Sequence, residues 1–421
     1  MNNLELEMKL DALTSNLSSS ATSSQDRFNY LKNIAQTYDF NNKIQGKVIH
    51  LAGTNGKGST SQILWHLLKA QGYQCHLIRS PHLIKYNERI HLNNQMIDND
   101  TLANAISWAE NIIDRPIGIT ILTMAFFKCC MDYPADFIIL ETGLGGEFDA
   151  TNILQDHALS VITPISYDHC DLLGNTLTEI ASAKAGIMRP NRPCISAIQQ
   201  PETKNKLSLH AAEMNTPISF LDDTDFTKND QGFILYQQQY SQPSLVGEHQ
   251  KENAALAVLA YQALIPKTQQ LTLDEINKTL QNTSFTGRLH PMPSGKLTKQ
   301  LKHDIWIDGA HNPAGAKQLI PFFKKQQQPI YFWLNFKDGK DIKTILEITC
   351  SYADKIIFQM TNDSNRATKD KIKNITDELN INIIFSDDIN SSIQKFNANP
   401  QGLVLAFGSL HWVGYLLKIT R

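Results

Sequence analysis

His50-Leu51-Ala52-Gly53-Thr54-Asn55-Gly56-Lys57-Gly58-Ser59-Thr60 is the stretch that decides the fold class of this chain. An apolar run, residues 47–52, leads into three glycines, and a helical pattern from Gln62 to Leu68 follows them. A strand that turns through glycines into a helix start aims several backbone N–H groups at one point. The helix dipole adds positive potential there and Lys57 adds a full charge, so the turn suits a phosphate chain. The spacing is shorter than G-x-x-x-x-G-K-[ST], and Gly58 stands where that pattern has a hydroxyl. Many glycine turns between strand and helix bind nothing. A lysine between two glycines at this junction favours a nucleotide.

Working outward, residues 137–140 (FIIL) and 159–162 (LSVI) read as buried strands. The stretches from Asp100 to Asp114 and from Thr120 to Met131 read as covering helices. Such alternation predicts an α/β fold with a mostly parallel sheet. Residues 218–220 and 233–236, separated by polar turn residues, predict an antiparallel insertion, with helices following at 250–264 and 273–281. The serine- and threonine-rich stretch from Asn16 to Gln25 reads as a loop before a helix at 27–38. Pro291, Pro293 and Gly295 interrupt any regular element, and beyond them five further strands are expected, at 305–307, 330–333, 355–358, 381–385 and 403–406. The reading is therefore a phosphate-loop domain over residues 1–290, a linker at 291–297, and a smaller Rossmann-like α/β domain at 298–421.

Bulk composition narrows the function classes. With 421 residues, 42% hydrophobic and 19% charged, the chain is sized for two or three globular domains. A formal net charge of −2 gives no global attraction to nucleic acid or to an acidic membrane surface. The nearest approach to a membrane-length apolar run, Ile117 to Met131, is interrupted by Thr120, Thr123 and Lys128. Six cysteines without a C-x-x-C pair read as reduced thiols, and the N-terminus lacks the basic start and apolar core of a signal peptide. A cytoplasmic protein is the expectation.

Several polar residues fall where ligands bind in open α/β sheets, beyond the carboxyl ends of strands. Glu141 ends one strand, ahead of Gly143-Leu144-Gly145-Gly146, and a carboxylate there can hold Mg²⁺; a turn-capping carboxylate would fit the position equally well. Asp168-His169 follows the next strand. Lys184 lies in a small-residue helix end, where an ordinary lysine would simply be solvated. In the second half Asp308 and His311 follow a strand, while Asn312 and Pro313 suit an N-cap and a first helical turn. Gly247 to Asn253 opens a helix.

Taken together, HLAGTNGKGST (50–60), SPHLIKYNERI (80–90), ETGLGGEFDATNI (141–153), ITPISYDHCDLLGNTLTEIASAKAGIMRP (162–190), GEHQKENAALA (247–257), TGR (286–288), IDGAHNPAGA (307–316), FKDGKD (336–341) and FGSL (407–410) resemble the folylpolyglutamate synthase/dihydrofolate synthase family of the Mur-ligase superfamily. The segments keep the family's order. The resemblance implies an ATP-dependent ligase that phosphorylates the carboxylate of a pteroate or folate and captures the acyl phosphate with L-glutamate. By similarity, Asn55, Gly56, Lys57, Gly58 and Ser59 wrap the ATP phosphates. Ser80 and Glu141 resemble the ligands of one Mg²⁺, and Glu141, His169 and Lys184 those of a second, with Lys184 carbamylated. Lys57, His169 and Lys184 are thus the expected catalytic groups. Asn253, Arg288, Asp308 and His311 resemble nucleotide-contacting residues, the last two from a C-terminal glutamate-ligase domain. The resemblance also implies a monomer acting on small molecules.

This chain departs from the family on the pterin side. Glu147 stands where an arginine is usual, Ile117-Gly118-Ile119-Thr120 replaces a T-x-F-E segment, and Ser18 to Arg27 has no D-L-G-L stretch. A cell-wall Mur ligase would need a further domain ahead of the loop, and residues 1–52 are too few for one. A GTPase-like switch would leave His169, Lys184, Asp308 and His311 without purpose, and the sequence has no N-K-x-D motif.

Overall fold

The computed structural model describes residues 3–15, 23–114, 118–361, 363 and 365–421. The chain forms two compact units, Met1–Pro243 with Lys251–Thr283, and Ser244–Gln250 with Ser284–Arg421.

In the first unit, β1 (Lys47–Ala52), β2 (Cys75–Ile78), β3 (Ile90–Leu92), β4 (Gln95–Met96), β5 (Phe137–Glu141), β6 (Leu159–Ile162), β7 (Cys194–Ser196) and β8 (Ile218–Phe220) form one sheet. Its order is β4-β3-β2-β5-β1-β6-β7-β8. The six strands from β2 to β8 in that order are parallel, and β3 and β4 add antiparallel edges. Every residue of β5 is buried, as expected for a parallel strand covered on both faces. Ile138 and Leu140 belong to one apolar cluster with Ile106, Leu122 and Phe126 of the helices Asn99–Ile112 and Gly118–Asp132. Ile162 belongs to another with Ile180, Ala181 and Leu207 of the helices Leu177–Ala185 and Pro201–Glu213.

Register puts the functional edge together. Leu51 pairs with Glu141, Ile78 with Leu140, and Ala52 with Ile162. The carboxyl ends of β2, β5, β1 and β6 therefore end side by side, and each is followed by a segment singled out in the sequence. The chain runs from β1 to one side, through β2 and β5, before crossing to β6 on the other. The switch point of this sheet lies at β1, where the glycine turn begins.

The same unit carries a three-stranded antiparallel sheet, β9 (Thr227–Asn229), β10 (Gly232–Leu235) and β11 (Gln238–Ser241). The expected insertion is therefore real in its second half only. Residues 218–220 instead pair parallel to β7, with Cys194 opposite Ile218. The helix Pro201–Glu213 lies between β7 and β8 and supplies the crossover that parallel pairing needs. The N-terminal loop reading, Asn16 to Gln25, lies outside the described residues as far as residue 22. Ser23 then caps the helix Ser24–Thr37 by accepting from Asp26 N, so the helix starts before Arg27.

In the second unit, β12 (His290–Pro291), β13 (Asp304–Ile307), β14 (Ile330–Leu334), β15 (Lys355–Gln359), β16 (Ile384–Ser386) and β17 (Leu403–Phe407) form a sheet in the order β12-β13-β17-β14-β15-β16. All pairings are parallel except β12 with β13. The chain passes between its units after Pro243, Gln250 and Thr283, all ahead of the expected linker at 291–297. Pro291 sits opposite Trp306 on the edge strand β12, a place where its missing N–H costs no ladder bond. Phe332, Leu334, Leu405, Phe407 and Ile345 share this unit's core.

Among the described residues, no helix is long and apolar enough to cross a membrane.

Candidate active site

The glycine turn after β1 is held open by its neighbours. Gly53 has φ +148°, and a Cβ there would lie 1.9 Å from Thr163 Oγ1. Gly56 has φ +90°, and a Cβ would lie 2.4 Å from Oδ1 of the buried Asn253. Only glycine meets both demands. Thr54 N and Asn55 N both donate to Pro164 O, at 2.9 and 3.3 Å, which ties the turn to the segment after β6. The helix Lys57–Ala70 starts directly after Gly56, its N-cap, earlier than the apolar periodicity suggests. Its leading amides have no acceptor within the helix.

Two lysines meet in this turn. Lys57 Nζ donates to Gly53 O at 2.8 Å and to Thr54 O at 3.3 Å. Lys184 Nζ donates to the same Gly53 carbonyl at 2.9 Å. Lys184 is only 4% exposed, so the surface position its sequence context suggested is wrong. Burial pushes its ammonium down from 10.5 to about 7; the Lys57 charge acts the same way, and Asp168 and Asp149 oppose it. A substantial neutral fraction at neutral pH follows.

The glycine segment after β5 carries Lys184 into place. Asp149 accepts from Gly143 N, Leu144 N and Thr151 N, each at 2.9–3.0 Å, and from Thr151 Oγ1 at 2.5 Å. Glu147 N donates to Ala183 O at 2.7 Å, and a Cβ on Gly146 would lie 2.8 Å from that carbonyl. Asn152 Nδ2 donates to Glu147 O and Gly186 O, and Arg189 Nη2 donates to Asn152 Oδ1 at 2.8 Å. Sequence reasoning passed over Asp149, Asn152 and Arg189. The only advance signal was the D-A-T-N run, since aspartate and asparagine favour side-chain-to-backbone turns. Glu147, where the resemblance implies an arginine, packs its Cβ and Cγ toward Gly186. The Ile117–Thr120 departure starts outside the described residues.

Glu141 ends β5 and is 3% exposed. Ser80 follows β2, and its Oγ accepts from Arg89 Nη1 at 3.2 Å. Arg79 beside it is buried and donates to Gln62 Oε1 at 2.6 Å. Burial pulls its guanidinium down to about 10, while Glu141 and Glu88 pull it back up. His169 adopts φ +53°, its backbone N donates to Asp168 Oδ1 at 3.0 Å, and its side chain is 44% exposed.

Ser80 and Glu141 are hard oxygen donors at the ends of adjacent strands. An ion such as Mg²⁺ takes one or two protein oxygens and fills its other positions with water and phosphate, so this pair fits one ion. A second set through His169 and Lys184 does not work with a plain amine, because Nζ is a donor to Gly53 here. Among the described residues, no group of three or more His, Cys, Asp or Glu side chains is placed to hold a metal.

In the second unit the expected residues gather at the end of β13. Asp308 is buried, and its carboxylate accepts from Leu289 N at 2.7 Å and Ala310 N at 2.6 Å. Burial raises its pKa, and the Arg288 charge opposes that rise. His311 Nδ1 lies 2.7 Å from Gly309 O, which places the Nδ1 proton in that contact. Asn312 caps the helix Pro313–Lys317 by accepting from Gly315 N at 2.7 Å, as the sequence predicted.

The chain is 33% identical over 300 residues to the dihydrofolate synthase/folylpolyglutamate synthase of Bacillus subtilis, a match covering 66% of this chain and 68% of the relative. The chain belongs to the dihydrofolate synthase/folylpolyglutamate synthase family. Residues 294–419 match the family described as dihydrofolate synthetase, C-terminal domain. Among solved structures of this family, E. coli FolC in complex with DHPP and ADP is similar with a TM-score of 0.84 at 25% identity, covering 98% of this chain and 97% of that one. The Yersinia pestis bifunctional folylpolyglutamate synthase/dihydrofolate synthase complexed with AMPPNP and Mn shares the fold, with a TM-score of 0.83, 24% identity and coverage of 98% and 97%. The mixed α/β architecture described above is thus the family's own.

Proposed function

We propose that this protein uses ATP to ligate L-glutamate to dihydropteroate and to reduced folates. The observation that carries the reading is the meeting of Lys57 and Lys184 at the Gly53 carbonyl, within a glycine turn opening a helix. Family membership and the nucleotide complexes of relatives support it.

A carboxylate is a poor electrophile and its oxide a poor leaving group. Phosphorylation by ATP forms a carboxyl–phosphate bond as the β–γ bond breaks, and cures both faults. The glutamate amine then attacks the acyl carbon, loses a proton, and the tetrahedral intermediate expels phosphate. The chain's task is to gather anions and stabilise the charge that moves between them. In this reading Asn55, Gly56, Gly58 and Ser59 surround the phosphates, and Lys57 exchanges its carbonyl partners for phosphate oxygens. Asn253, Arg288, Asp308 and His311 contact the nucleotide.

Ser80 and Glu141 would hold one divalent cation, which supplies Lewis-acid stabilisation of phosphate oxygens. Glu141, His169 and Lys184 would hold a second once Lys184 is carbamylated. The neutral Nζ attacks CO₂, forms a C–N bond and releases a proton, turning a donor into an oxygen ligand. The low basicity of Lys184 favours that step. The protein is read as a cytoplasmic monomer acting on small molecules.

A second reading, dihydrofolate synthesis alone, is favoured by the match of residues 294–419 to the dihydrofolate synthetase C-terminal domain. Assays with dihydropteroate or tetrahydrofolate as sole acceptor, in the presence of ATP, Mg²⁺ and L-glutamate, separate the two. Turnover of both acceptors is expected. Turnover of dihydropteroate alone selects the second reading, and ADP release that ignores acceptor and glutamate refutes ligation.

A further inference from the structure

The segment Ser80-Pro81-His82-Leu83-Ile84-Lys85-Tyr86-Asn87-Glu88-Arg89-Ile90 is organised by two charged side chains that the reaction above leaves unused. Glu88 folds back so that its carboxylate accepts from Leu83 N at 2.8 Å, Ile84 N at 3.1 Å and Lys85 N at 3.2 Å. Those three amides fix the loop. Arg89 then reaches across its inside, 7% exposed. Its Nε donates to His82 Nδ1 at 2.8 Å and its Nη1 to Ser80 Oγ at 3.2 Å.

A guanidinium only donates, so Ser80 Oγ must accept in this contact. One lone-pair direction of the hydroxyl is thereby assigned, and rotation about Cβ–Oγ is restricted. Arg89 is held in turn from the N-terminus. Its Cζ lies 5.5 Å from the centre of the Tyr86 ring. Tyr86 N donates to Glu7 Oε1 at 3.0 Å, and Tyr86 Oη donates to Asp11 Oδ1 at 2.9 Å. Both carboxylates lie on the helix Asn3–Ser15, which Leu6 and Leu10 anchor in the core.

We propose that Arg89 is a positioning residue that aims the Ser80 hydroxyl at the divalent cation accompanying the nucleotide, braced by the N-terminal helix through Tyr86. The inference rests on the reading of Ser80 as an oxygen donor to that cation. Groups that orient a metal ligand typically change metal affinity 10- to 100-fold when removed.

The test is calorimetric titration of the full chain with Mn·AMPPNP, and with AMPPNP in EDTA, for the parent, Ser80→Ala, Arg89→Met and the double variant. Ser80→Ala and Arg89→Met are each expected to weaken Mn·AMPPNP binding about 10- to 100-fold. The double variant should be no weaker than the worse single one, and binding of metal-free AMPPNP should be unchanged throughout. Multiplying losses, or an equal loss in EDTA, would mean that Arg89 only holds the loop, and would overturn the proposal. A normal Arg89→Met beside a weakened Ser80→Ala overturns it while leaving the Ser80 reading intact. A normal Ser80→Ala refutes the Ser80 reading itself, and the inference with it. Should Arg89→Met fail to fold, Arg89→Lys, which keeps the charge but cannot serve Ser80 and His82 together, is scored by the same criteria.

Discussion

Replacing Lys184 with methionine should make the apo protein more stable while abolishing ligation. The ammonium of Lys184 is buried with one carbonyl partner and a second cation beside it, and its pKa falls from 10.5 to about 7. At about 1.4 kcal/mol per unit, the buried amine costs the fold about 4 to 5 kcal/mol at pH 7. Methionine removes that cost and also loses one hydrogen bond, worth about 1 kcal/mol, although Lys57 still serves Gly53 O. A net gain of about 3 to 4 kcal/mol remains, within the range seen when buried charges give way to apolar groups. The sign with pH follows from proton counting. Between pH 7 and 10.5 the unfolded chain holds a proton on Lys184 that the folded chain lacks, so parent stability rises with pH. The advantage of Lys184→Met is therefore full below pH 7 and shrinks steadily toward pH 10.5. Thermal unfolding of both proteins at pH 7 and pH 9, in buffers purged of CO₂, measures this. A variant less stable at pH 7, or an advantage that does not shrink by pH 9, would refute the assignment of a buried amine whose partners only partly offset its desolvation.

Three further outcomes are expected. Lys57→Ala should abolish acceptor-dependent ADP formation with little change in the apo melting temperature, read by a coupled ADP assay and a thermal melt. Gly56→Ala forces an L-residue to φ +90° against Asn253 Oδ1; it should lose about 1 to 3 kcal/mol of stability and bind ADP far more weakly in calorimetry. Asp149→Ala strips the acceptor from three amides and one hydroxyl. It should lose about 2 to 4 kcal/mol in urea unfolding, and ligation should fall with it because the 143–153 segment carries the Lys184 helix end.

Much of this molecule is local, and local features were legible. β1 and β5 are apolar runs bounded by glycine or polar residues, so their type could be read from the chain itself. Asn312 and Pro313 formed the expected cap because N-cap chemistry needs only three neighbouring residues. Residues 218–220 pair with β7 rather than with the insertion, and a three-residue strand carries no mark of its partner. The polar stretch after it resembled a hairpin turn, while the helix before it set the parallel pairing. Pro291 looked like a linker because an edge strand and a loop tolerate proline for the same reason.

The sequence by itself determined the glycine turn between β1 and its helix, the parallel character of the sheets and the family, because each rests on residue types in a fixed local order. Tertiary structure alone decided that Lys184 is a buried, weakly basic amine rather than a solvated one. That property depends on Gly53, which lies 131 positions away in the chain, and on Lys57 sharing its carbonyl. Desolvation and charge proximity are facts of three-dimensional distance, and no spacing along the chain encodes them.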